Sequence, residues 1–378
     1  MPVTYTSAAA FRLLLASVLF VLLIAPHCGA DVFVLTNRTR QTVQVQISPE
    51  SQAPYLLRLA SGEVRPIRSD EPLQVAFDSG AERAAYVLDA NSAYYFGVAR
   101  DGRLSMHRIG LGDDESTAKG RPLPPTPEPD ESFVIDVMLL VDDDEPTRPI
   151  LWEKKLRDRA AKASRLLTKH AGVALRVVGV STWNSNNSTT DFDKSLREFE
   201  KQIDPSPARL AIGFTSQYEV PRGRIHLGGT RGPMARHIMI REWSRHVSEQ
   251  ERLELLLHEL GHFLGATHSP ERDSVMRPVL GDRQARVRGF DVRFDAVNTL
   301  IISMVAEEMQ RRGVDRFSDL SDGTRRRLAQ VYSTLAKAMP YDPSSSRFVA
   351  RTKARRLTSQ SGQIRQIMQA IVRAAKRG

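Results

Sequence analysis

The chain of 378 residues holds one cysteine, Cys28, so no intramolecular disulfide can form and a disulfide-stapled scaffold is excluded. Beyond residue 30 no apolar run reaches the roughly 20 residues that a membrane-spanning helix needs. No internal repeat is visible. Acidic residues are missing from Pro343 to Gly378, where nine basic ones fall. That segment supplies nearly all of the net charge of +10, from 54 Lys+Arg against 44 Asp+Glu. So local an excess does not by itself name a nucleic-acid partner. What is present is ordinary core-forming material, 41% hydrophobic, in a length that suits two or three domains. Global disorder and collagen are excluded.

The first 30 residues have the form of a secretory signal peptide. Arg12 precedes a thirteen-residue apolar run, Leu13 to Ala25, and Cys28-Gly29-Ala30 offers small residues at a cut after Ala30. The expected location is secreted or otherwise exported, with an uncleaved anchor as the alternative. A chain cut there has no cysteine, so its stability rests on packing, metal and secondary structure.

Residues 31–109 read as a small all-β, sandwich-like domain. Asp31 to Thr36, Thr42 to Ile47 and Tyr94 to Val98 are rich in β-branched and aromatic residues, with turn signals between them. Residues 110–131 form a Pro-rich linker, with five prolines between Pro122 and Pro129. Residues 132–290 alternate strand and helix, as in an α/β (α+β) domain with a mixed sheet. Strands are expected at 133–141, 173–180, 209–214, 224–230 and 237–241, and helices at 151–170 and 191–203. A further helix begins at Ser248, whose spacing to Glu251 is that of a capping box. Residues 291–378 read as a helical, basic C-terminal region, with helices at 298–310, 323–338 and 363–375.

The stretch His258-Glu259-Leu260-Gly261-His262-Phe263-Leu264-Gly265-Ala266-Thr267-His268 carries chemistry. Histidines four apart share one helix face, so His258 and His262 can converge on one ion. Glu259 can then reach a metal-bound water as general base without being a ligand. Gly265 permits the positive φ that ends the helix and turns the chain back. His268 arrives from outside the helix as a third ligand. Three histidines leave one coordination position open, which marks a catalytic rather than a structural Zn²⁺ site. A bare HExxH is weak, whereas the extended spacing requires five positions to agree.

Eight residues after His268 comes Met276, in Asp273-Ser274-Val275-Met276-Arg277-Pro278. This pairing resembles the metzincin superfamily of zinc endopeptidases. The resemblance implies that Met276 is a Met-turn residue flooring the metal site, and that the active-site helix sits in a mixed-sheet catalytic domain. Ser269, the eight-residue step and Pro278 look matrixin-like. The match covers about 132–282 and is divergent elsewhere. Leu280 stands where matrixins carry a tyrosine, and Pro278 removes the extra tyrosine ligand of other subfamilies. The resemblance also makes Leu227, Gly228 and Gly229, within Ile225 to Thr230, a substrate-binding edge strand, with Pro278 near the cleft.

These residues imply a secreted zinc-dependent endopeptidase that hydrolyses internal peptide bonds of a protein or peptide substrate, with one catalytic Zn²⁺. Two alternatives stay open: a zinc-binding, non-catalytic adhesion or assembly protein, and a hydrolase of a non-peptide or cell-wall amide. Asp142-Asp143-Asp144-Glu145 has the ligand type for Ca²⁺ but reads better as a solvated loop. His226 and His237 read as strand residues with ordinary hydrogen bonds. The basic C-terminal segment reads as a docked amphipathic helix, then as a contact to an anionic surface; nucleic acid is not expected. The β-domain, ahead of a linker, reads as a separable unit.

Overall fold

The computed structural model describes residues 30–99, 101–112, 132–145, 147–189, 191–216, 227–241, 247–280, 284–286 and 291–352. The expected signal segment up to residue 29, most of the proline-rich linker, Ile225, His226 and the expected helix at 363–375 lie outside them.

Eight strands form the N-terminal region: β1(Asp31–Asn37), β2(Val43–Pro49), β3(Tyr55–Leu59), β4(Val64–Ser69), β5(Leu73–Asp78), β6(Arg83–Val87), β7(Ser92–Val98) and β8(Leu104–Arg108). They make two four-stranded sheets, β4-β1-β7-β8 and β3-β2-β5-β6. In β2, Val43, Val45 and Ile47 point inward while Gln44 stays exposed, as its strict alternation requires. β1 is different: its Val-Phe-Val-Leu run is buried on both faces. Phe33 and Leu35 enter the core between the two sheets. Val32 and Val34 enter a second core, shared with the rest of the molecule.

That second core surrounds a five-stranded mixed sheet in the order β10-β9-β11-β13-β12. Its strands are β9(Phe133–Asp142), β10(Val173–Trp183), β11(Leu210–Thr215), β12(Gly228–Thr230) and β13(His237–Arg241). β10, β9, β11 and β13 run parallel, and β12 closes one edge antiparallel to β13. Parallel neighbours need crossovers, which α1(Pro149–Ala171) and α2(Phe192–Gln202) supply. α1 starts on its own proline and ends at Gly172 in the left-handed region, φ +62°. Of the expected 224–230 strand, Gly228–Thr230 is the extended part among the described residues.

Three further helices complete the fold: α3(Glu249–Phe263), α4(Ala296–Arg312) and α5(Asp322–Ala338). Residues 343–352 are also helical, nearly three turns that Pro343 opens. α4 is buried from Ala296 to Met309 and lies between α1 and the sandwich strands β1, β4 and β7. The seam with the sandwich is apolar at its centre, with Val32, Val34, Val64 and Ala93 in the shared core. Polar contacts rim it: Arg68 Nε to Glu307 at 3.2 Å, Arg311 Nη1 to Asp70 at 2.7 Å and Arg293 Nη1 to the Gly62 carbonyl at 2.8 Å. The expectation of a separable β-domain thus meets a packed seam. A linker's composition says nothing about the surfaces on either side of it.

Candidate metal centre

α3 is fixed at its start by a reciprocal capping box, in which the Ser248 N–H donates to Glu251 at 2.8 Å and the Glu251 N–H to Ser248 Oγ at 3.3 Å. Leu253, Leu255, Leu256, Leu257, Leu260 and Phe263 bury the helix on nearly every side. It therefore delivers His258 and His262 from a rigid, packed element. Gly265 breaks it with φ +90°, and a Cβ there would lie 3.2 Å from both Tyr332 Oη and Val305 Cγ2. The position demands glycine for its backbone and for its space.

The three imidazoles meet as the spacing predicts. Their donor atoms lie within 4.8 Å of one another, and no other such group of His, Cys, Asp or Glu occurs among the described residues. Each ring is held from behind through Nδ1. His258 bonds the Val275 carbonyl at 2.8 Å, His262 the Ala266 carbonyl at 2.9 Å, and His268 the Asp342 carboxylate at 2.6 Å. Carbonyls and carboxylates accept only, so in each ring Nδ1 carries the proton and Nε2 presents a lone pair. The Nε2 atoms of His258 and His262 face each other at 3.1 Å. Two lone pairs that close repel unless a cation lies between them. Zn–N bonds of about 2.0–2.1 Å in a tetrahedron put nitrogens roughly 3.3–3.4 Å apart, a separation that this pair approaches. Burial, reinforced by the neighbouring rings, holds the His258 imidazole well below its ordinary pKa. Burial also takes His262 down to about 4, so both stay neutral and ligand-competent at pH 7.

Glu259 is buried beside His258, and desolvation pushes its carboxyl up to about 8. It packs against β12: a Cβ on Gly228 would come within 2.8 Å of Glu259 Oε1 and Cγ. A Cβ on Gly229 would come within 2.8 Å of the Phe192 ring. The edge strand is thus clasped by Glu259 and Phe192, which only glycines allow. Leu227 precedes it, half-buried against the core, its carbonyl accepting the Arg241 N–H at 2.8 Å.

Met276 is fully buried under the trio's helix, and a Cβ on Gly261 would sit 2.6 Å from its sulfur. The glycine inside the motif makes room for the methionine floor. Backbone bonds fix this turn to the ligands, with the Ser269 N–H donating to the Met276 carbonyl at 2.8 Å. Arg277 and Glu254, both buried, pair across it. Pro278 is exposed just beyond.

A residue the motif does not reveal completes the site. Asp342 follows α5 and lies 74 positions after His268. Burial works to raise its carboxyl, but hydrogen bonds from Ser344 and His268 outweigh it and hold it below the usual range. A signal existed in the sequence, since Asp342 is the last acidic residue before the basic segment, but nothing local tied it to a histidine.

The other candidates stand apart from this site. His237 bonds the Ile203 carbonyl at 2.8 Å and meets Phe199 edge-on. In the acidic stretch, Asp143 accepts from the Ser185 N–H at 2.8 Å, Asp144 from Asn187 at 2.9 Å and Glu145 from Ser216 at 2.8 Å. Asp142 is buried rather than solvated, and desolvation lifts its carboxyl to about 6.

Residues 130–287 match the family model Reprolysin_5, metallo-peptidase family M12. No curated protein matches the chain. Among solved structures, archaemetzincin from Methanopyrus kandleri is similar at TM-score 0.31 and 17% identity, over 48% of this chain and 97% of that one. The structure of a chaperone-substrate complex gives TM-score 0.35 and 13% identity, over 74% of this chain and 59% of that one. The matched stretch contains His258, Glu259, His262, His268 and Met276.

Proposed function

We propose that the protein is an exported zinc endopeptidase whose metal is held by Nε2 of His258, His262 and His268. The observation that carries this is the set of three back-tied imidazoles with lone pairs converging beside a buried carboxylate. When bound, zinc supplies Lewis acidity and a water of lowered pKa. Glu259 takes a proton from the attacking water on its carboxylate and returns it to the leaving amine nitrogen. Burial lifts its carboxyl toward neutrality, which suits a group that must both accept and release a proton, and a cation beside it lowers the value again. β12 is the terminal strand of its sheet, and an extended substrate can add to its outer edge through backbone hydrogen bonds. Such binding is independent of side chains, as suits cleavage within a polypeptide. Ser269, Met276 and Pro278 favour a matrixin-like arrangement of the turn. Residues 1–30 supply the export signal, and the basic segment after Asp342 favours an anionic surface over nucleic acid.

The test is a matched pair, wild type and Glu259→Ala, assayed for zinc content and for cleavage of a mixed peptide library. The expected result is one zinc per chain in both, with cleavage reduced about 10²–10⁴-fold in the variant. Undiminished cleavage by zinc-loaded Glu259→Ala overturns the assignment.

A further inference from the structure

The three ligands are supported from different parts of the chain. His258 and His262 lean on carbonyls 17 and 4 positions away, inside the zinc motif and its methionine turn. His268 leans on a segment that begins after α5. Resting on the zinc-site reading above, we infer that Asp342 is the positioning residue of the third ligand, and that residues 342–352 are a built part of the metal centre.

The contacts are mutually supporting. Asp342 offers Oδ2 to His268, while its Oδ1 accepts the Ser344 N–H at 2.8 Å and the Ser344 hydroxyl. The carboxylate is therefore oriented before the imidazole meets it. Ser344 Oγ accepts the His268 N–H at 3.3 Å, and the Ser344 and Ser345 hydroxyls both lie 2.8 Å from Thr267 Oγ1. The 267–268 turn is thus bonded by three side chains of the distant segment, those of Asp342, Ser344 and Ser345. From the other side, the Thr267 N–H donates to Asn298 Oδ1 at 3.0 Å, so α4 holds what the segment does not. Tyr332 Oη of α5 donates to the Gly265 carbonyl at 2.7 Å, where the helix ends. Farther along, the Arg351 guanidinium bonds the Arg231 carbonyl, directly after β12. A Cβ on Gly232, φ +134°, would collide with that guanidinium.

A carboxylate behind a ligating histidine fixes its tautomer and ring plane and raises its basicity, and losing such a partner typically weakens metal binding about 10–100-fold. Affinity and docking are then linked: metal that needs His268 in place stabilises residues 342–352 where they lie, and undocking them loosens the metal by the same factor. The catalytic motif alone does not set how tightly the site is loaded.

The test uses the full chain and zinc itself. Zinc Kd is measured by competition with a chromophoric chelator for wild type, Asp342→Ala, Asp342→Asn and Asp315→Ala, an exposed carboxylate in the same region. Cobalt-substituted protein gives the visible spectrum, and hydrogen exchange follows residues 342–352 with and without zinc. Asp342→Ala is expected to bind about 10–100-fold more weakly and to shift the cobalt bands. Asp342→Asn falls between, because its amide oxygen still accepts from Nδ1. Asp315→Ala matches wild type, and zinc slows exchange across 342–352. A folded Asp342→Ala whose Kd stays within about twofold of wild type overturns the inference. Should that variant not fold, an unchanged Kd in folded Asp342→Asn, with no zinc-dependent protection of 342–352, does the same. A wild type that takes up no zinc removes the parent reading and this one together, whereas equal uptake by wild type and variants removes only this one.

Discussion

The sandwich of residues 31–108 and the helical region of residues 291–352 both share the core that surrounds the five-stranded sheet, yet they join it through different chemistry. The sandwich presents aliphatic side chains to α4 and rims them with Arg68, Asp70 and Gly62. Its direct approach to the ligand loop is Arg38 to Glu271 at 2.9 Å, an exposed pair of the kind that contributes little. The helical region also shares the core, but it adds directed hydrogen bonds to Gly265, Thr267 and His268. Burial is tolerant of small displacements and fixes stability. Directed bonds fix ring orientation, which is what a metal site requires. One flank therefore supports the fold, and the other supports the fold and the site.

Three changes sharpen this contrast. The largest effect is expected from Val34→Asp, which places an unpaired charge in the seam between sandwich and α4. It should cost on the order of 4 kcal/mol of stability in a denaturant titration. Zinc affinity of the folded fraction should remain that of wild type; a matching loss of affinity would show that the sandwich also shapes the site.

Acid should come next. His170 ends α1 near the seam, and burial, with help from Lys169 and Arg293, takes its pKa from 6.5 to about 4. The unfolded chain protonates it near pH 6.5, so between about pH 6.5 and 4 the unfolded state binds more protons and stability falls as pH falls. The full span amounts to roughly 3 kcal/mol, present above pH 6.5 and lost by pH 4. Melting temperatures of metal-free wild type and His170→Gln between those limits should show a flatter slope in the variant. Parallel slopes would remove His170 from the account.

The smallest loss of stability is expected from Tyr332→Phe, about 1 kcal/mol for one neutral hydrogen bond. It differs from the other two in also weakening zinc binding, because Tyr332 steadies the helix end that precedes His268. Calorimetry and the chelator competition on one preparation separate the two quantities.

Much of the site was legible because its determinants are local. The four-residue step of His258 and His262 is a helix period, and Ser248 with Glu251 announces where that helix begins. Gly265 marks its end by a backbone conformation that few other residues adopt. Gly261 also belongs to the motif, but that its missing side chain houses Met276 follows only from the packed turn. Several strands of the sandwich, such as β3 and β6, leave little mark in the sequence because edge strands with exposed Leu56 and Val87 lack a clean alternation.

The sequence by itself determined the trio of histidines, the glutamate beside the first of them, and the helix and turn that present them, because each rests on spacings of a few residues. Tertiary structure alone decided that Gly228 faces Glu259, that β1 serves two cores, and that Asp342 stands behind His268. Asp342 and His268 alone are 74 positions apart, and no periodicity reaches across such a distance. What brings them together is the burial of α4 and α5 in the shared core, which carries a distant carboxylate to the back of an imidazole.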